Sequence, residues 1–396
     1  MRVTEHLGWD RGLPLRYLLV TEVEDEDDYE SVDLLAKCAD AEGLYLPPVS
    51  PDRTTLTLRG CPLDSELAAL ATRPAAADRL LGDLVAVAVD PADREPPEDL
   101  DLVDVSVVTH RPTPGHPDRI DLVVGAGLRF DTRYGRKPHP PSSPVVEIWS
   151  ADPTRTEPLG TCLTVGGLTG LRRSRPDPID LIGCEPTERL LHTMRNPRPW
   201  QNAWAKLVAL DRDGRILTHH EVVLDITSAR PSVLGGTLLD LTLADGTSDR
   251  PVPETRAVHE RWYDGPPTEP NLWAALPTPA RSEWLWISTV GPYGNDIGRS
   301  GGEYHLDGRF ATDRPGLLLA IAEAVLGPGR EIGRNLFWLR DRLGGGPEVV
   351  PPFSLVWHDS EVALRAFATD FLGPGRTYLD EVLEILRERG VAVVLD

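Results

Sequence analysis

The first 260 residues of this chain contain an internal repeat, which restricts the fold to one built from two similar parts. Matching features occur in the same order in both copies. The number of residues between a feature and its match decreases along the chain, as a few loop deletions in the second copy would produce. The matched pairs are Cys38 with Cys162, Gly60-Cys61 with Gly183-Cys184, Arg111-Pro112 with Arg230-Pro231, Asp121-Leu122 with Asp240-Leu241, and Trp149 with Trp262. Their common order indicates a tandem duplication.

Each copy has the pattern of a β-rich domain. Short apolar or alternating runs are separated by turn residues, and the many prolines (38) and glycines (35) favour short strands over long helices. The runs in the first copy are 18–23, 55–58, 84–89, 103–108 and 120–124. We therefore predict a β-rich N-terminal region built from two tandem repeats, over 1–144 and 145–262. Two small domains and one double-sheet domain are both compatible with this pattern.

The segment 263–303 has the pattern of a linker or docking segment. Prolines and glycines interrupt it repeatedly, and the stretch 291–302 is rich in glycine. Three tryptophans within it are interpreted as strand or docking residues: Trp273, Trp284 and Trp286.

From Tyr304 onwards the pattern changes to alternating strands and helices. Strand-like runs occupy 305–309, 353–357 and 391–395, and helical apolar spacing occupies 315–326 and 378–389. A further helix is predicted near 333–343. Strands that alternate with helices in this way predict an α/β domain over 304–396 with a three-stranded parallel sheet.

The predicted helix near 333–343 has two distinct faces. At about 100° per residue, three leucines on one side should face the core: Leu336, Leu339 and Leu343. Phe337, Trp338 and Asp341 fall on the opposite side together with Arg334. Aromatic side chains rimmed by charge are typical of an interface core, so this face is a candidate binding surface. The alternative is that Phe337 and Trp338 pack beneath the repeat region.

The same segment resembles a known family. The pattern Gly333-x-Asn335-Leu336-x-x-Leu339-x-Asp341 is similar to the signature of the barstar family of intracellular ribonuclease inhibitors. The run 352–357 is similar to the central strand of that family and its closing tryptophan, and 391–395 is similar to its last strand. The resemblance covers 304–396, and the whole chain resembles actinobacterial proteins in which a barstar-like domain follows an uncharacterised region.

The resemblance implies a set of partner-binding residues. In barstar-like inhibitors this helix and the preceding loop enter the nuclease cleft, where acidic side chains replace the phosphates of the substrate. The implied contacts are Asp341 as the principal acid, Gly333 and Asn335 at the loop and helix start, Glu388 on the last helix, and Glu331, Phe337, Trp338 and Arg340 around them.

Several of these positions depart from the type member of the family. Phe337 replaces a second acid, Arg340 replaces an aromatic residue, and Glu331 with Ile332 replaces a tyrosine pair. The predicted surface is therefore less acidic and more apolar than that of the type member. A partner with an apolar pocket beside a cationic cleft fits it better than the type member's own ribonuclease.

The net charge of −21 disfavours direct binding to nucleic acid and suits a basic partner such as a ribonuclease or nuclease toxin. An acidic surface that serves only solubility is the alternative. The chain shows no signal-peptide pattern and no apolar run of 18 residues, so we expect a cytoplasmic protein without a membrane span.

Catalytic, metal and cofactor signals are weak. The cysteines form two similar pairs along the sequence, Cys38 with Cys61 and Cys162 with Cys184, but they lack the spacing of a zinc site and are predicted to be buried free thiols. Adjacent His219 and His220 should point to opposite faces of a strand. The match to Gly-x-Ser-x-Gly at 298–302 lacks the strand and helix that a nucleophile elbow needs. We predict no catalytic residue, no metal and no cofactor.

The function predicted from these patterns is that of an intracellular ribonuclease inhibitor or immunity-type protein. The alternative is a docking protein that keeps the barstar-like fold without inhibition, and the substitutions at Phe337 and Arg340 favour it. An enzyme with a site between the two repeats is the third possibility.

Overall fold

The computed structural model describes residues 8–9, 11–23, 31–47, 53–72, 80–88, 99–129, 145–151, 157–168, 177–195, 204–244, 250–290, 301–344, 349–373 and 375–396. Among these residues, the longest and most apolar helix still falls short of what a membrane crossing requires.

Strands dominate the described N-terminal region, and strands alternate with helices in the C-terminal part. The strands of the N-terminal region are β1 (Tyr17–Val23), β2 (Ser31–Cys38), β3 (Asp40–Glu42), β4 (Arg53–Pro62), β5 (Leu80–Ala88), β6 (Asp99–Thr113), β7 (His116–Arg129), β8 (Val146–Ser150), β9 (Gly160–Cys162), β10 (Thr164–Gly166), β11 (Ile179–Pro186), β12 (Trp204–Leu210), β13 (Ile216–Val223), β14 (Ile226–Pro231) and β15 (Leu239–Leu243). Its helices are α1 (Glu66–Thr72), α2 (Glu188–Arg195) and α3 (Arg256–Tyr263). The C-terminal elements are α4 (Thr278–Val290), β16 (Glu303–Asp307), α5 (Arg314–Leu326), α6 (Leu336–Arg342), β17 (Phe353–His358), α7 (Ser360–Ala366), β18 (Phe371–Gly373), β19 (Arg376–Thr377), α8 (Tyr378–Glu388) and β20 (Val391–Leu395).

The chain divides into two compact units. One unit comprises 1–48 and 177–396, and the other comprises 49–176. This division differs from the boundaries at 144, 262 and 303 that the repeat pattern predicts, because each unit combines strands from both predicted copies. Hydrogen bonding between strands that are distant in the chain decides which segments share a core.

The N-terminal strands of the first unit form one antiparallel sheet. Their order is β13-β12-β1-β2-β11-β15-β14, with β3 also paired to β11. The two end strands, β13 and β14, are separated by only two residues in the chain, so the sheet curls back on itself. Leu19, Leu35 and Leu207 of this sheet belong to the core of the unit, while Leu18, Val20 and Val208 form a second, separate cluster of buried apolar side chains on β1 and β12.

The second unit has a corresponding strand order, β10-β4-β7-β6-β5-β8-β9. The pairs that include Asp121 and Asp240 occupy matching places in the two units, whereas the predicted match of Trp149 with Trp262 is wrong, because Trp149 lies on β8 and Trp262 lies on α3. The carboxylate of Asp121 accepts a hydrogen bond from the backbone N–H of Gly60 at 3.0 Å, and Asp240 accepts one from Gly183 at the same distance. Both glycines have positive φ, +70° and +62°, at an irregularity in the strand pairing.

The four cysteine thiols are free and buried, which confirms that prediction. Their pairing in space differs from their pairing along the sequence. The Sγ atoms of Cys38 and Cys184 lie 3.0 Å apart, and Cys61 lies beside Cys162. The hydrogen bond with Cys184 and burial raise the pKa of Cys38, and the hydrogen bond with Cys61 and burial raise that of Cys162. Cys38 and Cys162 therefore stay protonated, and all four cysteines act as core side chains.

The C-terminal part contains the predicted three-stranded parallel sheet, in the order β16-β17-β20, together with helices. The predicted strands at 353–357 and 391–395 match β17 and β20, and the predicted helices match α5 and α8 to within one residue. The strand predicted at 305–309 lies two residues earlier, as β16. The pattern did not predict α7, a short helix that starts after Asp359, whose φ is +52°.

The predicted linker segment contains the helix α4, so Trp284 and Trp286 lie on a helix and not on a strand, which was one of the two interpretations. Trp284 is buried and packs edge-to-face on Trp262, with ring centroids 5.7 Å apart, and Trp273 is buried against Phe310. The helix contacts both β13 and α5. Burying this apolar surface outweighs the breaks introduced by the flanking prolines. Most of the glycine-rich stretch 291–302, with the Gly-x-Ser-x-Gly match, lies outside the described residues.

Candidate protein-binding surface

The helix α6 is short and well defined at its start. The side chain of Asn335 caps it and accepts a hydrogen bond from the N–H of Trp338 at 2.9 Å. Leu339 and Leu343 are buried and Leu336 packs half-buried against the core. The predicted division of this helix into two faces is therefore confirmed. Asn335 itself is exposed and acts as the cap.

The loop before α6 is stabilised by contacts of its own buried residues. Glu331 is buried, accepts a hydrogen bond from the N–H of Gly333 and forms an ion pair with Arg342. Gly333 is also buried and has a φ of +118°, and a Cβ atom there would overlap the backbone of Leu339 and lie 2.6 Å from the carbonyl carbon of Trp338. The structure thus places Glu331 and Gly333 in the frame that supports the surface.

The outward face of α6 carries an exposed aromatic pair. The side chain of Phe337 is 74% exposed and that of Trp338 is 38% exposed, with their rings edge-to-face at 6.1 Å. Asp341, one helical turn after Phe337, is exposed, and its carboxylate forms no hydrogen bond or ion pair with another described residue. The packing of Phe337 and Trp338 beneath the repeat region, which was the alternative, does not occur among the described residues.

A residue of α4 extends this face. The guanidinium of Arg334 lies over the ring of Trp286, 4.3 Å from its centroid, and 5.5 Å from the centroid of Trp338. Trp286 is 36% exposed. We call the set Trp286, Arg334, Phe337, Trp338 and Asp341 the aromatic surface. Sequence reasoning missed Trp286 as a site residue because Arg334 lies far downstream of it in the chain, and no local pattern connects the two.

The charges of two other predicted contact residues, Arg340 and Glu388, are neutralised by ion pairs within the chain. Arg340 lies 3.2 Å from a carboxylate oxygen of Glu381 and 3.3 Å from one of Glu388. Arg376 also pairs with Glu381, at 2.6 Å. Glu388 is exposed, but the charge of Arg340 offsets its own. Asp341 is therefore the acid of the predicted set that presents an uncompensated charge.

Two histidine clusters lie outside the aromatic surface. His220 is buried while His219 is exposed, as the alternation predicts. The ring of His220 stacks on that of His259, with centroids 5.9 Å apart, and His259 forms a hydrogen bond of 2.8 Å with Glu283. His305 and His358 are joined by a hydrogen bond of 3.0 Å, and His358 also binds Asp396 at 2.9 Å. Among the described residues, no three potential ligands are arranged to hold a metal ion.

Comparisons with protein-family models, with curated proteins and with solved structures gave no match to this chain.

Proposed function

We propose that this protein is an inhibitor of a basic ribonuclease or nuclease toxin and that the outward face of α6 enters the nuclease cleft. The observation that carries the proposal is the exposure of Phe337, Trp338 and Asp341 together on one rigid helix face. The similarity of this segment to the barstar family supports it. The acidic net charge of −21 supports a basic partner, because it accelerates encounter with one.

The aromatic pair would contribute most of the apolar binding energy. A large aromatic side chain that becomes buried removes about 150–250 Å² of surface from water, which corresponds to roughly 4–6 kcal/mol before the entropic costs of association. Phe337 is mostly exposed in the free chain, so most of this gain remains available to a partner. Because Asn335 caps the helix and Leu339 anchors it, little ordering is needed on binding.

Asp341 would supply the charged contact. Its carboxylate has no partner among the described residues, so a cation of the nuclease can approach it without breaking an existing ion pair. In a site that excludes water, such a pair is stronger than at a free surface. The carboxylate would occupy the place of a substrate phosphate and block the cleft.

We predict that Asp341→Ala raises the inhibition constant about thirtyfold or more, since one partner of a desolvated charge pair is worth about 2–5 kcal/mol. The purified full chain is titrated into an RNA-cleavage assay with basic extracellular bacterial ribonucleases and with any nuclease encoded beside its own gene. Glu361→Ala is the matched control, because Glu361 is an exposed acid on a different helix, α7. Equal inhibition by the original chain and the Asp341→Ala variant would contradict the role of Asp341.

The second candidate is a docking protein that binds a partner without inhibiting it. The ion pairs of Arg340 with Glu381 and Glu388 favour it, because they remove negative charge that an inhibitor could direct at the catalytic cations. A nuclease that binds the chain tightly but cleaves RNA at an unchanged rate would support this second candidate.

The proposal extends to the rest of the chain. We propose that the two corresponding sheets of the N-terminal region arose by tandem duplication, as the matching roles of Asp121 and Asp240 support. We also propose a cytoplasmic location, where an inhibitor protects the cell that makes the nuclease and where free thiols persist.

A further inference from the structure

Trp286 is held in a fixed position by the rest of α4. Its neighbours Trp284 and Ile287 are buried, and the side chain of Arg281 donates to the carbonyl oxygen of Leu276 at 2.9 Å and to the hydroxyl of Thr312 at 3.0 Å. These contacts tie α4 to the segment that leads into α5. The indole of Trp286 therefore projects from a helix that is anchored in the core.

Arg334 connects Trp286 with α6. Its guanidinium is stacked on the indole of Trp286 at 4.3 Å and lies 5.5 Å from that of Trp338. Stacking occupies the faces of the guanidinium and leaves its N–H edge free to donate in the plane. Arg334 is exposed and has no ion pair with a described acid, so this edge is open to an incoming group.

The charges on the aromatic surface are arranged in order along α6. Arg334 precedes the helix, Phe337 and Trp338 lie in its first turn, and Asp341 lies in its last turn. Spacings of four and three residues place Phe337 and Trp338 on the same side of α6 as Asp341, and Arg334, which lies before the helix, reaches this side through its contact with the ring of Trp338. A complementary partner would present a carboxylate, then an apolar pocket, then a cation.

We infer that the partner's footprint extends from α6 across Arg334 onto Trp286, and that Arg334 binds a carboxylate of the partner. This inference rests on the proposed function, because it takes the partner to be the protein that docks on α6. Tryptophan and arginine are the residue types that most often dominate binding energy at interfaces. A bidentate pair between Arg334 and a carboxylate would also select one partner among similar nucleases. The barstar-like segment without α4 would then present only part of the binding surface.

The test begins with site-specific photo-crosslinking from the full chain in its native cells. A benzophenone amino acid replaces Trp286, Phe337 or, as a control, Leu364, which is 48% exposed on α7. We expect positions 286 and 337 to crosslink to the same protein and position 364 to leave that protein unlabelled. Crosslinking from 337 but not from 286 would overturn the extension onto α4.

Affinity for the crosslinked protein is then measured with purified full-length variants. We expect Trp286→Ala to weaken binding about tenfold or more. Arg334→Lys should also weaken it, because a lysine keeps the charge but loses the planar bidentate geometry. Leu364→Ala should bind as the original chain does, and equal urea midpoints for all variants establish that they are folded. Unchanged affinity in Trp286→Ala contradicts the inference.

The outcomes separate this inference from the proposed function. If positions 286 and 337 both crosslink to a protein that does not cleave RNA, and Trp286→Ala weakens its binding, the extended surface is right and the nuclease is wrong. If the partner cleaves RNA but only α6 substitutions change its affinity, the nuclease is right and the extended surface is wrong. If neither position crosslinks to any protein, both are wrong.

Discussion

Residues 331–342 include two kinds of residue that serve one surface in different ways. Glu331 and Gly333 are buried and hold the loop, whereas Phe337, Trp338 and Asp341 project outwards. A buried ion pair contributes little net free energy, but the loss of one partner leaves an uncompensated charge. The pair between Glu331 and Arg342 therefore acts mainly to define the position of the loop.

Gly333 should be the most sensitive of these positions to a small change. We expect Gly333→Ala to lower the free energy of unfolding by about 3 kcal/mol or more. The new Cβ atom would overlap the backbone of Leu339, and the φ of +118° at Gly333 is itself unfavourable for alanine. Gly265→Ala is the matched control, since Gly265 has a similar φ of +108° and open space around it. The control should lose about 1 kcal/mol in urea unfolding. Equal losses in the two variants would show that steric overlap is unimportant at Gly333.

At the scale of elements, β13, α3 and α4 meet around His220. His220 lies on β13, His259 on α3 and Glu283 on α4, and the ring of Tyr45 packs edge-on to His259 at 5.4 Å. Burial lowers the pKa of His220 to about 4; the nearby His259 and His219 act in the same direction, and Glu283 opposes them. The contact between these elements therefore requires His220 to be neutral.

The stability of this contact should fall in mild acid. The pKa of His220 is about 4 in the fold against an ordinary value of 6.5, so between these values the unfolded chain binds the proton more readily. The contribution of His220 is therefore fully present above pH 6.5 and is lost as the pH falls towards 4, by up to about 3 kcal/mol. Urea unfolding of His220→Phe should show a smaller loss over this interval than the original chain. A variant with the same pH profile as the original chain would exclude His220 as the cause.

At the scale of the whole molecule, the first unit has one continuous core that extends from its antiparallel sheet into the parallel sheet. The helix α5 contributes to this continuity, because every residue from Pro315 to Ala322 is buried. A helix that is apolar on all sides needs neighbours on all sides. The neighbours of α5 include β16 and α4.

The C-terminal segment 301–396 should therefore be unstable when it is separated from α4. We expect a fragment of residues 301–396 to have a free energy of unfolding about 2 kcal/mol or more below that of a fragment of residues 264–396, and therefore a lower urea midpoint, because the longer fragment keeps α4 and Trp273. Tryptophan fluorescence and the binding of an apolar dye would measure the difference. Similar midpoints for the two fragments would show that α4 is dispensable for folding.

The local pattern allowed much of the C-terminal part to be predicted. The spacing of Leu336, Leu339 and Leu343 predicted which face of α6 is buried, and β20 was predicted with its observed bounds. The helix α4 was not predicted because prolines near both ends of this segment suggested a break, and Trp284 and Trp286 lie on this helix and not on a strand. The roles of Glu331 and Arg340 could not be predicted, because burial and ion pairing depend on Arg342, Glu381 and Glu388, which no periodicity links to them.

The sequence by itself determined the alternation of strands and helices after Tyr304, the repeated features before it and the aromatic face of α6. These are properties of neighbouring residues, and periodicity in the chain is enough to express them. Only the tertiary structure decided that Cys38 lies beside Cys184, that each unit combines strands from both predicted copies, and that Trp286 lies against Arg334. Such contacts join residues far apart in the chain, and their free energy depends on the packing of the whole unit.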